Sequence, residues 1–247
     1  MGIWMAAYSK EFVLTELFCD AYGDLTMKGM VDLVFQLVAN QEYDWPSDLT
    51  PAGYNWIVLN HHFTCQALPR LGDKVRLETE IIEVNRFFVY RYYRFYDSGG
   101  QVVVTGQSQF SLMDLSKRKI VRIPDQLQAE NTGEKAERPY RFKKTLKQVD
   151  TLSEARVHYS EIDANQHVNN SVYLSWVLNQ LPSAFVADRR VQTFDISYDH
   201  ELGLGQDYQL ASRIEEEGTP AQSWHQVLMG ENSCARIHVG WLLRDGN

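Results

Sequence analysis

Residues 161–170 read EIDANQHVNN, with a carboxylate, an amide and an imidazole set two apart at Asp163, Asn165 and His167. Imidazole and carboxylate are the side chains that activate water near neutral pH. A short-armed amide beside them could hold a water or a carbonyl. Side chains two apart share a face in extended backbone, so the three converge if this stretch is strand-like. Asn169 and Asn170 are good helix N-caps, and an apolar pattern begins directly after them. The backbone N–H groups of Val168, Asn169 and Asn170 would then lie where a helix start leaves donors unpaired, and such donors stabilise an oxyanion. A further carboxylate, Glu201, stands in DISYDHELG near the end of a strand pattern. Beside His167 it would act as general base or orient the ring. The same residue types also make ordinary caps, turns and solvated strand ends.

The elements that must position these groups follow from periodicity. Residues 8–18 read as a strand, and 25–41 carry Met30, Val31, Val34, Leu37 and Val38 at helical spacing. A Trp- and Pro-containing loop (44–55) precedes four strand-like runs rich in Val, Ile, Phe and Tyr, broken by turn residues. Residues 124–152 are charged and poor in aliphatic side chains, as in a linker crossing a surface. The pattern then repeats: a strand at 155–162, a helix from Asn170 to Phe185, and four strand-like runs to Leu243. One helix followed by an antiparallel meander is an α+β unit, and two in one chain suggest a duplication. At an offset of 141 (Val31 onto Val172) the polar trio falls on Tyr22, Asp24 and Thr26; at 133 (LGDKVRL onto LGQDYQL) Glu201 falls on Leu68. The first copy thus builds the same strand-to-helix turn without the cluster, which favours a functional reading of the second.

Composition limits what the chain does. Its 247 residues are 44% hydrophobic and 23% charged, with net charge −8, an ordinary globular make-up without the basic footprint of nucleic-acid binding. Three cysteines, Cys19, Cys65 and Cys234, form no C-x-x-C and no disulfide framework, which fits a reducing compartment. No basic n-region opens the chain and no apolar run approaches the roughly 18 residues of a membrane span, so a cytoplasmic location is expected. His61 and Cys65 on one strand would lie about 13 Å apart, too far for one zinc, so no metal is expected. Neither a Gly-rich phosphate loop nor a G-x-S-x-G elbow is present.

The string D-A-N-Q-H-V-N-N, an aromatic helix after it, and a glutamate 34 positions beyond the histidine resemble the acyl-acyl carrier protein thioesterases of plant plastids and bacteria. The likeness extends to NWIVLNHHFTCQALPRLGDKVRLETEI and to VYRYYRFYDSGGQVVVTGQSQFSLMDLSKRKIVRIPDQL. It implies a tandem, or double, hotdog fold: two long helices, each wrapped by an antiparallel sheet, with the sheets joined side by side. Residues 1–123 would form an N-terminal hotdog holding the acyl pocket, 124–152 a linker, and 153–247 a C-terminal hotdog holding the catalytic residues. It also implies hydrolysis of the thioester between a fatty acyl chain and the phosphopantetheine arm of acyl carrier protein, with no cofactor. By motif, Asp163, Asn165, His167 and Glu201 would be the functional residues. The plant enzymes carry a cysteine after the matching glutamate; here that position is Leu202, so water attack is expected rather than a cysteine nucleophile. Rival readings are a hotdog hydratase or dehydratase and a non-catalytic acyl-thioester binder.

The carrier protein is acidic, like this chain, so docking requires a local basic patch. Candidates are Lys117, Arg118 and Lys119, and a run holding Arg138, Arg141, Lys143, Lys144 and Lys147. Two hotdog units in one chain already mimic the usual hotdog dimer, and a homodimer of the whole chain stays open.

Overall fold

A computed structural model describes residues 7–43, 50, 52–128, 135–143 and 146–244. The chain forms two compact units: residues 1–14 with 33–139, and residues 15–32 with 140–247. In the first unit, strands β1 (Tyr8–Val13), β2 (Tyr54–Cys65), β3 (Lys74–Val84), β4 (Val89–Tyr96) and β5 (Val102–Asp114) form an antiparallel sheet in the order β1-β3-β4-β5-β2. A short strand, β6 (Lys119–Val121), pairs with β5, and a one-turn helix, α2 (Asp125–Gln128), follows it. In the second unit, β7 (Thr151–Arg156), β8 (Arg189–Tyr198), β9 (Asp207–Glu215), β10 (Ala221–Met229) and β11 (Asn232–Leu243) form a sheet in the order β8-β11-β10-β9-β7. Read in the opposite direction, this is the strand order of the first unit.

Helix α1 (Met27–Tyr43) buries the residues its spacing singles out: Met30, Val31, Val34 and Leu37 are at most 1% exposed and Val38 is 7% exposed, and Leu33 is buried with them. Full burial of each such side chain contributes about 1.5–3 kcal/mol. Its second half meets the first sheet through Phe35 edge-on to His61 and Gln41 bonded to the buried Arg91. In the second unit, α3 (Val172–Gln180) packs Trp176 flat on Tyr208 at 4.0 Å, and Gln180 donates to the Leu210 carbonyl.

Three local expectations change. The first strand ends at Val13, and residues 15–18 turn instead of continuing it. The strand anticipated at 155–162 is β7 followed by a 3-10 turn at Tyr159–Glu161. The helix anticipated from Asn170 to Phe185 is two helices, α3 and α4 (Ser183–Asp188). Pro182 breaks it, because a proline forces the residue before it out of helical conformation, and Leu181 has ψ 143°. Much of the charged stretch is anchored. Glu137 exchanges two hydrogen bonds with Gln107 in the first unit, and the Leu146 N–H donates to Gln226 in the second.

Candidate active site

The polar cluster lies on a tight loop rather than on a strand. Ile162 and Val168 pair as an isolated bridge, and between them Asp163 N–H donates to the His167 carbonyl at 3.0 Å. Gln166 closes the loop in the left-handed region at φ 68°. The side-chain alternation of a strand therefore does not apply. Asp163 and His167 meet because the loop brings its two ends together. Asn165 stays exposed at its tip, its N–H on Asp163 Oδ1 at 2.8 Å and its amide 3.4 Å from Oδ2.

His167 lies between two carboxylates. Its Nε2 is 3.5 Å from Glu201 Oε1 and its Nδ1 is 3.9 Å from Asp163 Oδ1. These are ion-pair separations, longer than good hydrogen bonds. The imidazole and the Asp163 carboxylate are about one-fifth exposed and the Glu201 side chain 37%, so solvent reaches the group. Glu201 sits three residues past the end of β8. Its position is fixed through its neighbour: Leu202 is fully buried, and its carbonyl accepts the Val168 N–H at 2.8 Å.

The helix start is specific in its donors. Val168 N–H is committed to Leu202 and Asn169 N–H to the Glu161 carbonyl at 2.9 Å. Asn169 Oδ1 takes both the N–H and the hydroxyl of Ser171, which closes a turn leading into α3; the N-cap is Ser171 and not Asn169 or Asn170, and its own side chain makes no capping hydrogen bond. Among the described residues, the Asn170 N–H donates to no protein acceptor, which makes it the one donor of the three open to a ligand. The Asn170 carbonyl is held at 2.8 Å by the buried Tyr198 hydroxyl, whose ring meets Tyr173 edge-on. Burial raises both phenols well above the ordinary tyrosine range, so they stay protonated. Glu161 braces the loop from behind: its carboxylate accepts Trp176 Nε1 and the His158 N–H, both at 2.7 Å. Sequence reasoning passed over Tyr198, Trp176 and Glu161.

The structure also sets the true correspondence of the two copies. The bridge Ile162–Val168 repeats Cys19–Leu25, an offset of 143 (Cys19 onto Ile162) rather than 141. Asp20 N–H donates to the Asp24 carbonyl, Tyr22 N–H to Asp20 Oδ1, and Gly23 takes the left-handed position at φ 81°. Thr26 N–H bonds Phe18 as Asn169 N–H bonds Glu161. Burial agrees: Met30, Val31, Leu33 and Val34 fall on Tyr173, Leu174, Trp176 and Val177, all buried. Asp163 thus matches Asp20 and builds the turn in both copies. Asn165 and His167 replace Tyr22 and Asp24. In the first copy Arg244 pairs with both Asp20 and Asp24, so that loop is closed by a salt bridge. The turn hydrogen bonds at 70–73 and 203–206 agree with the offset of 133, leaving Leu68 opposite Glu201.

Burial pushes Cys65 up to about 12 and Cys234 up to about 11, which leaves little thiolate near neutral pH. His61 is buried against Ser108, and burial holds it down at about 3. Of the anticipated basic residues, Lys117 lies 3.3 Å from Asp114. Arg118 sits in the left-handed region at φ 52°, Lys119 begins β6, and Arg141 and Lys143 are exposed. Lys144 lies outside the described residues.

The chain matches the acyl-ACP thioesterase N-terminal domain over residues 6–131 and the C-terminal domain over residues 144–243. It belongs to the acyl-ACP thioesterase family. An oleoyl-acyl carrier protein thioesterase of Arabidopsis thaliana is 24% identical over 206 residues, 77% of this chain and 57% of that protein. The chain spans about half the length of the curated relatives it matches. Two solved structures share the fold. An acyl-ACP thioesterase from Bacteroides thetaiotaomicron has a TM-score of 0.83 at 21% identity, covering 98% of this chain and 100% of that one. The 12:0-ACP thioesterase from Umbellularia californica has a TM-score of 0.85 at 17% identity, covering 96% and 94%. The fold is the double hotdog of acyl-ACP thioesterases, with few helices and extensive antiparallel sheet. Among the described residues no helix is long and apolar enough to cross a membrane.

Proposed function

We propose that this chain hydrolyses the thioester of fatty acyl-acyl carrier protein by direct attack of water, releasing the free fatty acid and ending chain elongation. The observation that carries this reading is the position of His167, between Glu201 and Asp163 and three residues before the open Asn170 N–H. Glu201 with His167 takes the proton of a water and directs it at the thioester carbonyl. The Asn170 N–H stabilises the oxygen that becomes negative, as donors aimed at developing charge do. Asn165 holds the water or the thioester, and Asp163 keeps both the loop and the Asn165 amide in place. The thiol departs readily, so protonation of the leaving group is a minor requirement. The first copy lacks the imidazole and the second carboxylate, and its hotdog would hold the acyl chain.

Incubation with a panel of acyl carrier thioesters of about 8–18 carbons, following free thiol, tests the reading; each buried CH₂ is worth about 0.8 kcal/mol, so chain length registers clearly. A hydrolase releases thiol and fatty acid. An altered acyl chain with the thioester intact would identify a hydratase or dehydratase, and no change at all a binder. Glu201→Gln and His167→Ala are each expected to lower kcat about 10²–10⁴-fold, the usual worth of a positioned general base. Full activity in both would sink the mechanism.

A further inference from the structure

A cavity of about 350 Å³ opens on the second unit's sheet, on the face turned away from α3. Ser212 and His225 point toward α3, since Ser212 bonds Gln180 and His225 together. Their strand neighbours Arg213, Trp224 and Gln226 therefore project to the other face, where Trp224 and Gln226 pair across the strands with His238 and Arg236. Residues 140–143 and 146–147 lie over this face, tied down by Leu146 N–H on Gln226 and by Tyr140 stacked on His238 at 4.6 Å.

The charge of the cavity is one-sided. Arg213 is bonded to Glu215, and Arg236 grips Asp199 with two hydrogen bonds of 2.6 and 2.7 Å, so both carboxylates are neutralised. Arg141, Lys143 and Lys147 also line the cavity, are exposed, and among the described residues have no carboxylate partner. Three uncompensated positive charges thus cluster on a chain of net charge −8. Trp224, Phe142 and Leu146, each half-buried, line the same cavity. A charged rim over a partly buried aromatic anchor is the anatomy of a protein interface. The other basic cluster lacks it: Lys117 is compensated by Asp114, which also accepts the Ser116 and Lys117 N–H groups of the same turn.

We infer that Arg141, Lys143, Lys147 and Trp224 form the docking surface for the acidic carrier protein that brings the acyl thioester. This deepens the proposed hydrolase reading and rests on it. The acidic partner supplies the missing counter-charges, and an apolar side chain of its surface enters over Trp224.

The test uses the full chain with Arg141→Glu, Lys143→Glu and Lys147→Glu combined, and Lys117→Glu with Lys119→Glu as the control. KM for acyl carrier protein is expected to rise at least tenfold in the triple variant and to stay level in the control. Hydrolysis of the same acyl group on pantetheine is expected to be unchanged in both. Salt should raise the wild-type KM for the carrier and flatten the difference, since exposed charges are screened. A triple variant with wild-type KM for the carrier overturns the proposal, as does an equal loss on both substrates. So does loss of a self-association seen by light scattering with carrier KM intact, which would assign the surface to a second copy. Direct titration of fluorescent acyl carrier protein keeps the two readings apart. If wild type binds but releases no thiol, and the triple variant fails to bind, docking stands and hydrolysis falls.

Discussion

His167 has no unusual neighbour in the sequence that would compel an imidazole. Its significance comes from what the loop does with it. Asp163 is shared with the first copy, where Asp20 makes the same turn, so Asp163 is explained by folding and positioning. Asn165 and His167 are what the second copy adds. Gln166 offers a test of how tightly the loop is specified. It occupies the left-handed region that the first copy fills with Gly23, a conformation costing a non-glycine residue about 1–2 kcal/mol. Gln166→Gly is expected to keep activity and to stay within about 1 kcal/mol of wild-type stability, strain relief and added chain entropy offsetting each other. Gln166→Val puts a β-branched side chain there and is expected to cost more than 1 kcal/mol and most of kcat. Urea melts and initial rates on the pair check this, and equal behaviour of Gly and Val would mean that the loop does not hold His167.

At the scale of elements, the site depends on strands reaching around to the helix start. β8 delivers Tyr198 to the Asn170 carbonyl and, three residues later, Glu201 to His167. Tyr198→Phe removes one buried hydroxyl and leaves a carbonyl unpaired, a change worth about 1–3 kcal/mol. If that bond aims the Asn170 N–H, kcat should drop by about fivefold or more with KM unchanged, while the fold survives. A drop in thermal stability without any change in kcat would give Tyr198 a packing role alone. The helix periodicity of 25–41 was legible because α1 buries one face in the regular way. The break at Pro182 was legible in principle, as a proline inside a helical pattern, yet the apolar run through Phe185 masks it.

For the whole molecule, two buried histidines couple stability to acid. Burial holds His61 and His225 down at about 3, against an ordinary value near 6.5. The folded chain keeps both neutral, whereas the unfolded chain takes up protons as pH falls through 6.5. The unfolded state then binds more protons, so stability is full above about 6.5 and is lost as pH drops toward 3. Urea midpoints at pH 7 and 4.5 should show the fall, and His61→Phe, set between Phe35 and Phe63, should make it shallower. Identical pH slopes in wild type and variant would remove His61 from this coupling.

The amino-acid sequence by itself determined the repeated α+β pattern, because burial imposes periodicity residue by residue. It also determined the chemical inventory of Asp163, Asn165, His167 and Glu201, and the family the chain belongs to. Tertiary structure decided what those residues are to one another. The loop is closed by hydrogen bonds between its ends, so strand alternation misplaces Asn165. The two copies correspond at 143, a register set by backbone pairing that side-chain identity is too sparse to reveal. Which of three neighbouring N–H groups stays open depends on carbonyls at Leu202 and Glu161 and not on the residue types at 168–170. Backbone donors are alike in every sequence, and only the fold decides which are already taken.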